Sequence, residues 1–172
     1  VNKSTIALNV TKSESGGGIA SSGSNSVVTI TNSTISSNLS SVNGGGLFNI
    51  QGKMSLKNNT IVNNHADSNA VTSDFLNTLF GDVPNEIKAP IINYLADKAS
   101  LPAPNDKGDG GGIANMIDGK LDMNNTIVAD NVDDSSSTKN PDIYCYDGTN
   151  ITSLGYNLVG ATDGCSFTAS VN

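Results

Sequence analysis

The sequence predicts an all-β fold in which a short unit repeats along the chain. A glycine triplet recurs as GGGIASSG from Gly16, GGGLFNIQG from Gly44 and GGGIANMIDG from Gly110. Each triplet precedes a short strand of alternating residues, and an asparagine-rich segment follows each strand. Hydrophobic residues make up 36% of the chain and aromatic residues only 5%, a composition that supports a narrow core rather than a broad one.

The alternating segments predict which side chains face inward. The strands are VVTIT at 27–31, KMSLK at 53–57 and KLDM at 120–123. The segments that follow are NSTISSN at 32–38, NNTIVNN at 58–64 and NNTIVADN at 124–131, with an earlier copy, KSTIALN, at 3–9. We expect an inward set of Val28, Ile30, Ile35, Met54, Leu56, Ile61, Leu121, Met123 and Ile127. We expect an outward threonine row of Thr5, Thr34, Thr60 and Thr126.

The spacing of isoleucines in the repeats sets the period. The steps from Ile6 to Ile35 and from Ile35 to Ile61 are 29 and 26 residues. The step from Ile61 to Ile127 is 66 residues, which is one period plus an insertion of about 40. A period in the mid-twenties, with three short strands and no helix in each unit, is typical of a parallel β-helix. We therefore expect a single domain over residues 1–172 with about five rungs.

Glycine and asparagine mark the turns between these strands. The triplets supply positive φ and close backbone approach where the coil changes direction. Asparagine tolerates left-handed conformations, and stacked copies can hydrogen-bond to one another. We expect such a ladder from Asn9, Asn38 and Asn64.

The repeats also resemble a known family. GGG[IL] followed by N-[SN]-T-I-x-x-[ND] resembles the repeats of right-handed parallel β-helix surface proteins, including the polymorphic outer-membrane-protein type with its GGA[ILV] and FxxN motifs. The segment NPDIYCYDGTNITSLGYNLVGATDGCSF resembles the closing rung of secreted bacterial β-helix proteins. The resemblance covers residues 1–68 and 108–172, and glycine stands where the outer-membrane motif has alanine. It implies a right-handed, pectin-lyase-like parallel β-helix in a surface or secreted protein.

Residues 69–107 interrupt the repeat and predict a short α-helical insertion. TSDFLNTLFG and PNEIKAPIINYLADKASL both place apolar residues at helical spacing. These helices either cover a flank or end of the β-helix or form an interaction surface such as a lid, a docking arm or a groove wall. The residues of that surface would be Phe75, Leu79, Phe80, Ile91, Tyr94 and Leu95.

The cysteines and the charge balance indicate a compartment and restrict the partners. Cys145 and Cys165 predict a disulfide that ties a C-terminal rung at 141–172, since an even cysteine count is typical of an oxidising compartment. The alternative is two free thiols in a cytosolic protein. Because the sequence begins with Val1, we expect a processed chain that is extracellular or at the cell surface. The net charge of −7 without arginine disfavours nucleic acid, and no apolar run is long enough to span a membrane.

Two further kinds of site are predicted. Asp106 and Asp109 in NDKGDGGG are candidate calcium ligands, the alternative being an exposed polar loop, and no other cofactor is expected. Asn2 and Asn150 begin Asn-x-Ser/Thr sequons and are the candidate glycosylation sites.

The acidic residues raise the question of an enzyme. Carboxylates converging on one groove would indicate glycoside cleavage, and the candidates are Asp118, Asp122, Asp130, Asp133 and Asp134. A solvated acidic face is the interpretation we favour. His65 is the only histidine, and we expect it to lie at the surface. No catalytic residue is therefore predicted.

The function that the sequence favours is structural or adhesive. A β-helix with uncapped ends can assemble end to end into filaments, or it can form part of a longer surface solenoid. The expected partners are another copy of the chain or a cell-surface glycan. The alternatives are a carbohydrate-binding or polysaccharide-degrading protein, and an ice-binding or surface-binding protein that uses the outward threonine row.

Overall fold

The computed structural model describes residues 1–11, 14–66, 84, 86, 109–135, 139, 141–146, 150–161 and 165–169. Over these residues the chain is all-β, and the strands pair in parallel in four sheets. The predicted insertion at 69–107 lies outside the described residues, apart from the exposed Pro84 and Glu86.

Two of the sheets have five strands each. Sheet A contains β4 (Val27–Thr31), β8 (Lys53–Lys57), β12 (Lys120–Asn124), β16 (Asn150–Ser153) and β18 (Ser166–Ala169). Sheet B contains β1 (Thr5–Ala7), β5 (Thr34–Ser36), β9 (Thr60–Val62), β13 (Ile127–Ala129) and β17 (Leu158–Val159).

The other two sheets have four strands each. Sheet C contains β2 (Val10–Thr11), β6 (Leu39–Ser40), β10 (His65–Ala66) and β14 (Val132–Asp133). Sheet D contains β3 (Ile19–Ser22), β7 (Leu47–Ile50), β11 (Ile113–Met116) and β15 (Ile143–Cys145).

The chain visits the sheets in a repeating order. From β1 to β17 the order is B, C, D, A, and each strand pairs with the equivalent strand one turn of chain away. Each repeat therefore has four strands rather than the three expected, because a two-residue strand in sheet C follows each asparagine-rich segment. This topology is compatible with a parallel β solenoid.

The core is a set of columns in which like residues stack. Ile30 pairs with Leu56, and Leu56 pairs with Met123 in the next turn of sheet A. These three side chains are at most 1% exposed. The predicted inward residues Ile35, Met54, Ile61 and Leu121 are also buried, and the partly buried Val28 packs against them.

The inward position predicted for Ile127 was wrong. Ile127 is 41% exposed and pairs with Thr60, whereas Val128 is fully buried and pairs with Ile61. The cause is the connection from sheet A to sheet B: four residues separate Leu56 from Ile61, but only three separate Met123 from Ile127. Because this connection is one residue shorter, Ile127 takes an outward position and Val128 the inward one.

Candidate functional site

A ladder of amides, exposed at Asn9 and buried from Asn38 onward, runs through the stack between sheets B and C. Asn9 Nδ2 donates to Asn38 Oδ1 at 2.9 Å, Asn38 Nδ2 to Asn64 Oδ1 at 2.9 Å, and Asn64 Nδ2 to Asn131 Oδ1 at 3.0 Å. Asn131 Nδ2 then donates to Asp142 Oδ1 at 2.9 Å. The expected ladder of three asparagines is confirmed, and it extends to two residues that the sequence reading missed.

Each member of this inner ladder is hydrogen-bonded more than once. The backbone N–H of Asn38 donates to the same Asn64 Oδ1 that its side chain contacts. Its second amide proton is used by the carbonyl of Ile6 at 3.0 Å. Asn64 and Asn131 repeat the pattern with the carbonyls of Ile35 and Ile61. A buried polar network satisfied in this way holds neighbouring rungs in one register.

The third glycine of each triplet makes room for this ladder. A Cβ on Gly18 would lie 3.1 Å from Asn38 Nδ2, and one on Gly112 would lie 2.8 Å from Asn131 Nδ2. The first glycine has another role, because Gly16, Gly44 and Gly110 have φ values of +81°, +64° and +75°. The recurring triplet in the sequence therefore marks where a buried asparagine packs.

Asp142 occupies the third-glycine position of the fifth rung. Its carbonyl accepts from Ile113 N–H, as the carbonyl of Gly112 accepts from Leu47 N–H one rung earlier. The side chain, 4% exposed, enters the space that an asparagine fills in the other rungs. Aligning PDI at 141–143 with the GGI of the last triplet would have revealed this substitution.

The inner ladder has a direction. Every side-chain-to-side-chain hydrogen bond in it donates toward Asp142, whose carboxylate can only accept hydrogen bonds. One carboxylate oxygen accepts from Asn131, and the other accepts the Ala161 N–H at 2.7 Å. At the opposite end, Asn9 Oδ1 has no hydrogen-bond donor among the described residues. The ladder is closed at Asp142 and open at Asn9.

Cys145 and Cys165 form the expected disulfide. Their Cα atoms are 5.1 Å apart, and the bond joins the buried end of β15 to the residue that precedes β18. Such a bond is typical of proteins from an oxidising compartment.

The predicted calcium site is only partly described. Asp109 is half-buried, and its N–H donates to Asn43 Oδ1 at 2.9 Å, whereas Asp106 lies outside the described residues. Among the residues described, no three acidic, histidine or cysteine side chains form a metal-binding group. Calcium binding remains a prediction.

The structure describes both predicted glycosylation residues but none of the predicted interaction residues. Asn2 is exposed, and its Oδ1 accepts from Thr31 Oγ1 at 2.8 Å and Asn32 Nδ2 at 3.0 Å. Asn150 begins β16, and its side chain is not described. The predicted interaction surface falls entirely outside the described residues, namely Phe75, Leu79, Phe80, Ile91, Tyr94 and Leu95.

The candidate carboxylates occupy different elements of the fold. Asp122 lies on sheet A, where it forms an ion pair with Lys53 at 3.2 Å. Asp118 and Asp130 are exposed in separate turns with positive φ. Asp133 is buried in sheet C, and Asp134, the next residue, lies 3.4 Å from His65 Nδ1. His65 lies in β10 and Asp133 in β14 of sheet C, whereas the exposed Asp134 follows β14.

The threonine row is shorter than expected. Thr5, Thr34 and Thr60 are in register in sheet B, but Ile127 and Leu158 continue the column. Thr126, predicted to point outward, is fully buried, and its hydroxyl donates to the Asn124 carbonyl. Ile127 and Leu158 form an outward apolar pair at the end of the row. Ile127 faces outward because three residues separate it from Met123, whereas four separate Ile61 from Leu56.

A second row of amides lies on the surface, at the corner between sheets A and B. Asn125 Nδ2 donates to Asn58 Oδ1 at 2.9 Å, and Asn58 Nδ2 donates to Asn32 Oδ1 at 3.0 Å. We call Asn32, Asn58 and Asn125 the outer amide row. All three are exposed and have positive φ. The row was not predicted, although NN or NS at the start of each segment marks it.

The chain matches no protein-family model, and no curated protein or solved structure matches it. In the described part of the chain, no helix has the length and apolar character needed to cross a membrane.

Proposed function

We propose that this protein is an extracellular structural or adhesive β-helix, of the right-handed type found in the surface proteins that its repeats resemble. The inner ladder is the observation that carries the proposal. It links five turns of chain through buried hydrogen bonds, which is a device for holding a stack in a single register. The disulfide between Cys145 and Cys165 supports an extracellular location.

The direction of the ladder favours a longer solenoid over a filament of identical copies. In a head-to-tail contact, the C-terminal end of one copy would present Asp142 to Asn9 Oδ1 of the next. The side chain of Asp142 has no N–H to donate, and both of its carboxylate oxygens already accept hydrogen bonds. A rung with asparagine at the ladder position would instead donate to Asn9, as Asn9 donates to Asn38.

An extension experiment tests this architecture. A copy of residues 3–31 is fused ahead of Lys3, which replaces Val1 and Asn2, so that the new rung brings a second Asn9. We expect a higher Tm than that of the unmodified chain, and a smaller gain when the added Asn9 is changed to Leu. Equal Tm values for the fusion and the unmodified chain would contradict the proposal that the stack extends at this end.

The adhesive role needs a separate measurement. The chain is displayed on a non-adherent bacterium, and cells retained on coated surfaces are counted, with sedimentation of the purified chain as a companion. Retention supports adhesion, and concentration-dependent filaments support end-to-end assembly. A chain that shows neither retention nor assembly would contradict the structural or adhesive proposal.

A further inference from the structure

Tyr156 stands at the end of the outer amide row. Leu158 pairs with Ile127, and the Asn125 N–H donates to the carbonyl of Gly155 at 2.9 Å, so Tyr156 occupies the Asn125 position one rung later. Its φ of 56° continues the values of 51°, 56° and 45° at Asn32, Asn58 and Asn125. The backbone shape is therefore kept while the side chain changes from an amide to an aromatic ring.

That change works against local preference. Asparagine is enriched in the left-handed region, whereas a bulky residue there is an outlier. Tyr156 is also 91% exposed, so its ring gains little from burial within the fold. Residues in strained backbone conformations cluster at functional sites, so the conformation of Tyr156 motivates a hypothesis of function.

The neighbours of Tyr156 extend an apolar surface. Leu158 is 61% exposed and Ile127 is 41% exposed, and they lie side by side on sheet B. In the earlier rungs these positions are Thr34 and Thr60. Leu154, two residues before Tyr156, is also 40% exposed.

The amides retain hydrogen-bonding capacity. Asn58 and Asn125 each donate one Nδ2 proton along the row, and Asn125 Oδ1 has no donor among the described residues. Each amide has two N–H protons and two acceptor lone pairs, so each keeps groups that can reach a ligand. The amides repeat at the strand spacing of about 4.8 Å.

We propose that Tyr156 and the outer amide row bind a neutral linear polysaccharide lying along the stack. The tyrosine ring offers an apolar face to the C–H face of a sugar, and the regularly spaced amides offer donors and acceptors to successive hydroxyl groups. A net charge of −7 opposes binding of an acidic polymer. A stable protein partner would require a larger apolar area than these few side chains provide.

This inference goes beyond the structural role, since a rigid stack could exist without the site. The test is affinity electrophoresis of the native chain in gels that contain hydroxyethyl cellulose, xylan or dextran, with pull-down on cellulose and chitin. We expect retardation or capture by at least one of these polymers. Migration unchanged in every gel, together with no capture, would overturn the proposal.

Two variants restore the residue types of the other rungs and should therefore fold. Tyr156→Asn and Leu158→Thr are compared with Tyr146→Asn, which changes a tyrosine that is 38% exposed beyond β15 and away from the row. We expect Tyr156→Asn to weaken binding by about tenfold, since the variant removes the aromatic face against which the sugar would pack. Leu158→Thr should weaken binding less, and Tyr146→Asn should leave it unchanged. Equal binding by Tyr156→Asn and the native chain would refute the assignment, as would an equal loss in Tyr146→Asn.

Discussion

Asn131 donates both its backbone N–H and its side-chain Nδ2–H to one carboxylate oxygen of Asp142, at 3.1 and 2.9 Å. The two residues are only 11 positions apart, yet they belong to consecutive rungs. This contact ends the ladder that begins at Asn9. Asp142 therefore occupies the position that asparagine occupies in the other rungs.

Asp142→Asn should destabilise the protein although it supplies the residue type of the other rungs. If the new Oδ1 accepts from Asn131, its Nδ2 must face the Ala161 N–H, which now donates to the carboxylate at 2.7 Å. Two donors would then oppose each other, and a buried donor left unsatisfied costs about 1–3 kcal/mol. Urea unfolding measures the loss. Asp130→Asn is the control, because Asp130 is exposed and Asn63 fills its position one rung earlier; an equal change in both variants would contradict the prediction.

Gly112→Ala should disturb the inner ladder directly. The added Cβ would lie 2.6 Å from the Asp142 carbonyl oxygen and 2.8 Å from Asn131 Nδ2. Overpacking of this kind costs about 1–3 kcal/mol. Gly23→Ala is the control for backbone strain without overpacking. Gly23 has a φ of +96°, but no atom lies within 4 Å of its Cβ position. We expect the lower urea midpoint for Gly112→Ala, and the reverse order would argue against the space-filling role of the ladder.

Loss of the disulfide should loosen the C-terminal rung. The bond closes a separation of 20 residues, which contributes about 3 kcal/mol in the chain-entropy estimate. Hydrogen exchange with and without reductant, or on the Cys145→Ser and Cys165→Ser double variant, measures the change. We expect faster exchange in β16 and β18 and little change in β4 and β8. Uniform loss of protection would show that the bond supports the whole stack, and unchanged exchange would show that it supports none of it.

Calcium should raise the Tm if Asp106 and Asp109 bind it. A ligand that binds only the folded state at 100 times its Kd stabilises that state by about 2.7 kcal/mol. The measurement is a thermal melt of the EDTA-treated chain with added calcium, and Asp109→Asn should abolish any increase. Magnesium at the same concentration is the control for ionic strength. If calcium leaves the Tm unchanged, Asp106 and Asp109 do not form a calcium site.

The chain sequence by itself determined the fold class and most of the core. Alternation within each strand assigns a side chain to one face or the other, so Ile30, Leu56 and Met123 could be placed inside without coordinates. The glycine triplets and asparagines could be recognised as turns because both residue types tolerate left-handed backbone. The disulfide between Cys145 and Cys165, which ties the last rung, could likewise be predicted from the sequence.

The tertiary structure alone decided the register of the fourth rung and the end of the ladder. Ile127 was predicted to lie inside because NNTIV occurs at both 58–62 and 124–128, but this segment begins one residue sooner after Met123 than after Leu56, so Val128 lies inside instead. Aligning PDI with GGI marks Asp142 as a substitution, but its hydrogen bond to Asn131 exists only once the next rung has stacked. Local pattern sets the face of each residue within one strand, whereas turn length and packing between rungs set which residues become neighbours.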